Sequence, residues 1–287
     1  MSVRAADPGG QAIAEALEHV RYEVIPLAGV EERVLAHVPR EIKLTVTASP
    51  TRGIETTIDL SGELAGHGYT VVPHLSARLV ADRAHLEEIL ARLNELGLHE
   101  AFVIAGDVDE PAGGYAGALE LLEAMAELGH GLERVGITGY PESHPSISDE
   151  ATIQAMFAKE PHASYIVSQV CFDPKTIVSW VARVRARGTH LPIYVGLPGA
   201  IDRAKLLRIS VRIGVGESAR FLGKHGNWLT RFFLPGGYSP GRLLDGLAPV
   251  LAEPEQGVAG FHVYTFNDLE GTERWRRQTL ERLRGGD

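Results

Sequence analysis

The 287-residue chain holds one cysteine, Cys171. It can therefore close no disulfide within itself and offers no cysteine cluster to a metal, which fits a reducing compartment. No run approaches about 18 uninterrupted apolar residues, so no segment reads as a membrane span. The first ten residues carry charge, proline and glycine in place of the apolar stretch of a secretion signal. The expectation is a cytoplasmic protein. Basic residues are also short: 28 Lys and Arg stand against 37 Asp and Glu, for a formal net charge of -9. That balance argues against nucleic acid or an anionic membrane as partner, because both are held by a surplus of Lys and Arg. An anionic small molecule would need a local basic cluster.

Several chemical motifs are missing as well. No G-x-G-x-x-G follows the first strand-like run, where an open dinucleotide-binding sheet would carry it. There is no P-loop and no nucleophile elbow, and Cys171 falls in mid-strand. The His-x-His pair that opens many metal-dependent barrel hydrolases is absent from the first strand, so no catalytic metal is expected.

What is present is a long alternation of strand and helix patterns in a chain that is 44% hydrophobic. The strand-like runs are Val20–Pro26, Ile42–Ala48, Tyr69–Ser76, Glu100–Gly106, Arg134–Tyr140, Ser164–Phe172, Leu191–Leu197 and Ala259–Phe266. Most are apolar on consecutive positions, as parallel strands buried on both faces require. Between them, Arg83–Leu96 places Leu86, Ile89, Leu90 and Leu93 on one helical face and ends at Gly97. Pro174–Arg187 opens with Asp173 as N-cap and closes at Gly188. Eight repeats predict an α/β fold, a closed (β/α)8 TIM barrel, as a single domain over residues 1–287. Residues 1–18 read as an N-terminal extension, and 211–254 as an insertion of extra helices between strands seven and eight.

Barrel chemistry sits where strands end. Those ends carry Glu23, Thr47, His74, Asp107, Tyr140 with Glu142 and His144, Gln169, and Tyr264 with Asn267. Rims are ordinarily polar, so each residue alone has a bland reading; a polar side chain after nearly every strand points to a site. Glu23 stands in the apolar run Tyr22-Glu-Val-Ile-Pro26. Desolvation there would raise its pKa toward that of a general acid, unless an arginine pairs with it. His74 either contacts a ligand or bonds to backbone. Asp107 follows Gly106, a glycine that would let a ligand approach the backbone, or it caps a helix.

The same segments resemble methylenetetrahydrofolate reductases. The matching pieces are Tyr22-Glu-Val-Ile-Pro26, Leu44-Thr-Val-Thr47, Val72-Pro-His-Leu75, Ala105-Gly-Asp107, Gly139-Tyr-Pro-Glu-Ser-His-Pro145, Ser168-Gln169 through Phe172-Asp173, Gly196-Leu-Pro198 and Gly260-Phe-His-Val-Tyr-Thr-Phe-Asn267. They follow one another in family order from about residue 20 to 270. The resemblance implies reduction of 5,10-methylenetetrahydrofolate to 5-methyltetrahydrofolate, with hydride passing from NADH or NADPH through FAD. It makes Glu23 the acid that protonates the folate nitrogen and opens the methylene bridge to an iminium. Asp107 becomes the aspartate that contacts the pterin, Gln169 a folate ligand, and Tyr264 a neighbour of flavin or substrate. Thr47, His74, Gly106, Tyr115, Ala116, Tyr140 and His144 fall where flavin-containing members hold FAD, and Lys159 ends the helix that meets its phosphates.

The chain departs from that pattern at Ala105, where an arginine usually precedes Gly-Asp, and over the apolar stretch Ile153–Phe157. Arg203 and Leu207 replace a glutamine and a phenylalanine of the folate site; Arg203 would instead meet the anionic tail of the folate. These departures motivate two other readings: direct hydride transfer without flavin, and a non-catalytic folate- or pterin-binding relative. The partners implied are a folate and a nicotinamide cosubstrate. A homo-oligomer is compatible with the sequence.

Overall fold

The protein is described by a computed structural model over residues 7–49, 51–142, 149–200 and 240–285. Eight parallel strands close into a barrel in sequence order, each bonded to the next and the last to the first. They are β1 (Arg21–Val24), β2 (Lys43–Val46), β3 (Val71–Ser76), β4 (Glu100–Ile104), β5 (Arg134–Gly139), β6 (Tyr165–Ser168), β7 (Ile193–Pro198) and β8 (Val258–Tyr264). All eight expected strands are found, and the TIM-barrel expectation holds. Several are shorter than their apolar runs. β6 leaves the ladder after Ser168, and Gln169–Phe172 belongs to the loop at the mouth.

Helices α1 (Pro8–Glu18), α2 (Val30–His37), α3 (Glu55–Gly66), α4 (Arg83–Glu95), α5 (Ala118–Leu128), α6 (Asp149–Lys159), α7 (Pro174–Ala186), α8 (Pro240–Ala252) and α9 (Leu269–Gly285) flank the strands. The local chemistry explains their limits. Asp82 accepts from the His85 amide at 2.9 Å and caps α4, whose Leu86, Ile89, Leu90 and Leu93 are buried. Gly97 then turns the chain at φ +67°. Asp173 caps α7 in the same way, accepting from the Lys175 amide at 3.2 Å ahead of Ile177, Trp180, Val181 and Val184. Helix α8, the described part of the expected 211–254 insertion, packs on α1, α7 and β8. Ile153 and Met156, apolar in the sequence, are buried, and α6 packs against β5 and α5.

Strand alternation divides the apolar residues into an outer core under the helices and a small inner cluster of Val72, Phe102, Tyr165 and Val167. One end of the inside is closed by charge. Arg21 donates to Glu100 Oε1 at 3.0 Å, Lys43 pairs with the other oxygen, and the Arg21 guanidinium lies 4.4 Å and 3.7 Å from the Tyr165 and Tyr194 ring centroids. These residues begin their strands or nearly so, which places this floor at the N-terminal end. The opposite end is left for chemistry.

Candidate active site

Glu23 rises one inward-facing position above Arg21 on β1. Among the described residues, no arginine pairs with it. Its Oε2 lies 3.2 Å from His262 Nε2 and 4.0 Å from His74 Nε2, and the side chain is only 14% exposed. Burial pushes the carboxyl up to about 7, with a smaller downward pull from His74. The same burial pushes His74 down to about 4 and His262 down to about 3, the latter also repelled by the buried Arg21. Both imidazoles are therefore neutral near pH 7, while Glu23 sits at the midpoint where it can hold or release a proton. Phe102 supports the His74 ring at a centroid distance of 4.8 Å.

The segment after β8 holds this carboxylate's backbone. Thr265 Oγ1 donates to the Glu23 carbonyl. Asn267 clasps Ile25, two residues on, from both sides: its Oδ1 accepts from the Ile25 amide and its Nδ2 donates to the Ile25 carbonyl, each at 2.8 Å. Reaching that position requires Phe266 and Asn267 to adopt φ of 49° and 57°, an uncommon conformation for residues other than glycine, though asparagine enters it most readily. The Phe-His-x-Tyr-Thr-x-Asn motif is thus a clamp, with His262 touching the Glu23 side chain and Thr265 and Asn267 fixing its backbone. Sequence reading missed His262 as a site residue, because Phe261 and Val263 on either side make it look like core.

Tyr264 and Tyr140 carry the site across the mouth. The Tyr264 hydroxyl is pushed up by burial, then by the charge of Glu23 and by Tyr140; the Tyr140 hydroxyl is pushed up by burial and by Asp107. Tyr264 Oη donates to the Ser168 carbonyl at 3.2 Å, beside Gln169. This close fit depends on Gly196, since a Cβ there would lie 2.2 Å from the Ser168 oxygen and 2.9 Å from the Tyr264 ring. Glu23 lies in β1, Asp107 follows β4 and Gln169 follows β6; the charge of Glu23 acts on Tyr264 and that of Asp107 on Tyr140. The Gln169 amide oxygen accepts from the Val170 amide at 2.9 Å.

Thr47 is half-buried at the end of β2, its amide donating to the Val24 carbonyl at 2.9 Å. Gly106 is already required by the packing of the protein itself. Its φ is +96°, and a Cβ would fall 2.0 Å from the Ser76 hydroxyl, so the space is already filled by protein. Asp107 caps no helix; α5 begins later, with Gly117 as its N-cap. The loop between them is stapled by Arg78, which donates to the carbonyls of Ala116 at 2.8 Å and Val108 at 3.0 Å. Tyr115 packs against the outer core from this loop, and Ala116 is exposed. Lys159 is buried at the C-terminal end of α6, where desolvation pushes its amine down to about 8. At about 1.5 Å per residue, the eleven-residue α6 carries it away from the mouth toward the floor end. His144, Arg203 and Leu207 lie outside the described residues. Among the described residues, no group of three or more His, Cys, Asp or Glu side chains is arranged to hold a metal ion, and no helix is long and apolar enough to cross a membrane.

The family model for methylenetetrahydrofolate reductase matches residues 26–211. The chain belongs to the methylenetetrahydrofolate reductase family. It is similar to methylenetetrahydrofolate reductase 1 of Schizosaccharomyces pombe, 27% identical over 120 residues covering 39% of this chain and 20% of that protein. It is also similar to methylenetetrahydrofolate reductase 2 of Saccharomyces cerevisiae, 23% identical over 134 residues covering 43% and 22%. The chain thus spans about a fifth of the length of the curated relatives it matches. A putative lyase/mutase from Burkholderia cenocepacia J2315 superposes with a TM-score of 0.50 at 16% identity, covering 98% of this chain and 91% of that one, a likeness of fold. Glu23, His262, Tyr264 and Asn267 fall outside the matched span and are tied to it by barrel closure.

Proposed function

We propose that this family member reduces 5,10-methylenetetrahydrofolate to 5-methyltetrahydrofolate, with NADH or NADPH supplying the hydride, from one barrel domain. The observation that carries the reading is Glu23, a carboxyl buried without a cation among the described residues and pushed up to about 7 at the mouth of the barrel. The methylene carbon of this folate bridges two nitrogens. Transfer of a proton from Glu23 to N10 makes that nitrogen a leaving group, and the electron pair on N5 forms an iminium. A hydride then adds to the carbon and yields the 5-methyl product, so one proton and one hydride are consumed. Asp107, at the other side of the mouth, opposes the cationic charge of the iminium. Gln169 and Tyr264 bind the pterin, and Arg203 meets the glutamate tail. General acid catalysis of this kind contributes on the order of 10² to 10⁴ in rate.

The family resemblance brings FAD with it, and the described residues suit only part of that cofactor. Thr47, His74, Tyr115 and Tyr140 offer polar and aromatic contacts to a ring system. The pyrophosphate has no such match. Ala105 brings no charge, the Arg78 guanidinium is committed to backbone carbonyls, Lys159 lies at the far end of α6, and the β4–α5 loop carries Asp107, Asp109 and Glu110. The described residues do not fit an FAD pyrophosphate, which favours a second route for the electrons: direct hydride transfer from the nicotinamide to the folate. An absorbance spectrum of the purified protein, followed by an anaerobic assay with NADH and methylenetetrahydrofolate, tests both. Colourless protein that forms methyltetrahydrofolate without added FAD supports direct transfer. Yellow protein, or strict dependence on FAD, supports the flavin route. Binding of folate without turnover under any reductant contradicts the proposal.

A further inference from the structure

We propose that His262 is a positioning residue: by donating its Nε2–H to Oε2 of Glu23, it fixes the transferable proton on Oε1. The inference rests on Glu23 acting as the acid, and it concerns which of the two carboxyl oxygens does so.

The hydrogen on His262 can be placed from its surroundings. Nδ1 is fully buried with no hydrogen-bond partner among the described residues. A bare ring nitrogen in such a position costs less than an unpaired N–H, since orphaned buried donors are the rarer defect. The neutral imidazole therefore carries its hydrogen on Nε2, 3.2 Å from Glu23 Oε2. Neutrality follows from burial and from Arg21, one layer below, whose charge opposes a second cation. His74 Nε2 addresses the same oxygen from β3 at the longer distance of 4.0 Å.

Both imidazoles thus approach Oε2. A proton on that oxygen would meet the His262 N–H head-on. Oε1 takes no hydrogen bond from the described residues, and it is not among the fully buried atoms that lack a partner. Among the described residues, the titratable and charged groups facing Glu23 are His74 from β3 and His262 and Tyr264 from β8. Arg21 lies on its own strand beyond His262, and Tyr140 and Asp107 stand across the mouth. None is a cation beside Oε1. The acid proton belongs on that side, where a substrate nitrogen can collect it, while Oε2 remains an acceptor of the His262 hydrogen in both protonation states.

Three readouts test this. The ¹⁵N shifts of wild-type His262 should report the Nε2–H tautomer; an Nδ1–H tautomer would overturn the proposal, and this measurement needs no variant. In protein labelled at the Glu carboxyl carbons, with the Glu23 signal assigned by its loss in Glu23→Gln, His262→Leu should raise the Glu23 midpoint by about one unit or more. A hydrogen bond to the charged form has then been removed. His262→Gln, whose amide nitrogen reaches the same place, should hold the midpoint to within about half a unit. An unchanged midpoint in folded His262→Leu, or an equal shift in both variants, would contradict the assignment. In the folate assay, His262→Leu should lower kcat about tenfold or more with little change in KM and move the pH profile upward, and His262→Gln should restore most of it. The titrations use apo protein. If they come out as stated while wild-type protein forms no methyltetrahydrofolate, the positioning role stands and the proposed reaction falls.

Discussion

A carboxyl enclosed by a barrel with two neutral imidazoles, and with no cation beside it among the described residues, is unstable in its charged form, and this has a consequence for folding as well as for chemistry. Glu23 titrates near 7 in the folded chain against an ordinary 4.5. The folded state therefore binds the proton more tightly. Its contribution to stability is fully present below pH 4.5 and is lost as pH rises through about 7. His74 and His262 behave oppositely: pushed down from 6.5 to about 4 and about 3, they favour the fold above 6.5 and lose that contribution as pH falls. Glu23→Gln should leave stability unchanged near pH 4.5 and raise it relative to wild type by up to about 3 kcal/mol at pH 8, measured by urea unfolding across that range. Equal stability of the two proteins at pH 8 would show that Glu23 is not desolvated. The acid was legible in the sequence because a lone charge interrupts Tyr22-Glu-Val-Ile-Pro26. His262 was not, since its partner is 239 positions away and its flanks are apolar.

At the scale of elements, helices α4 and α7 were legible because their caps and apolar stripes agree, and β6 was overextended because apolar Val170 and Cys171 continue its pattern into the loop. The role of Arg78 had no local signal, as its bonds reach 30 and 38 residues ahead. The Gly106 conformation that this loop depends on gives a direct check. Gly106→Ala combines an unfavourable φ with a clash against Ser76, and should destabilise the protein by about 1–3 kcal/mol in chemical denaturation. A neutral effect would mean that the loop takes another course. On the outside of the barrel, α9 is joined to β1 and α1 by a buried network: Glu273 accepts from Tyr22 Oη at 2.9 Å and pairs with Arg276, which also donates to the Leu17 carbonyl at 3.1 Å. Glu273→Ala strands the buried Arg276 charge and should cost about 3–5 kcal/mol, read as a lowered denaturation midpoint. A loss below about 1 kcal/mol would show the network to be solvated.

For the whole molecule, barrel closure is what turns scattered residues into a site. β1 and β8 lie at opposite ends of the chain, yet their register sets Glu23 beside Tyr264 and Arg21 beside His262. The closed floor of Arg21, Lys43 and Glu100 gives the interior one functional end, and the clamp after β8 fixes the acid there. Eight strands at regular spacing made the architecture readable; the cross-barrel contacts were not, because spacing along a chain carries no information about which strand ends face one another. The proposed reaction depends on Glu23 as the proton donor. The most direct test is the rate of methyltetrahydrofolate formation by Glu23→Gln against wild type at saturating substrates near pH 7. A fall of about 10² or more with the fold intact is predicted; turnover within a few-fold of wild type would contradict the account.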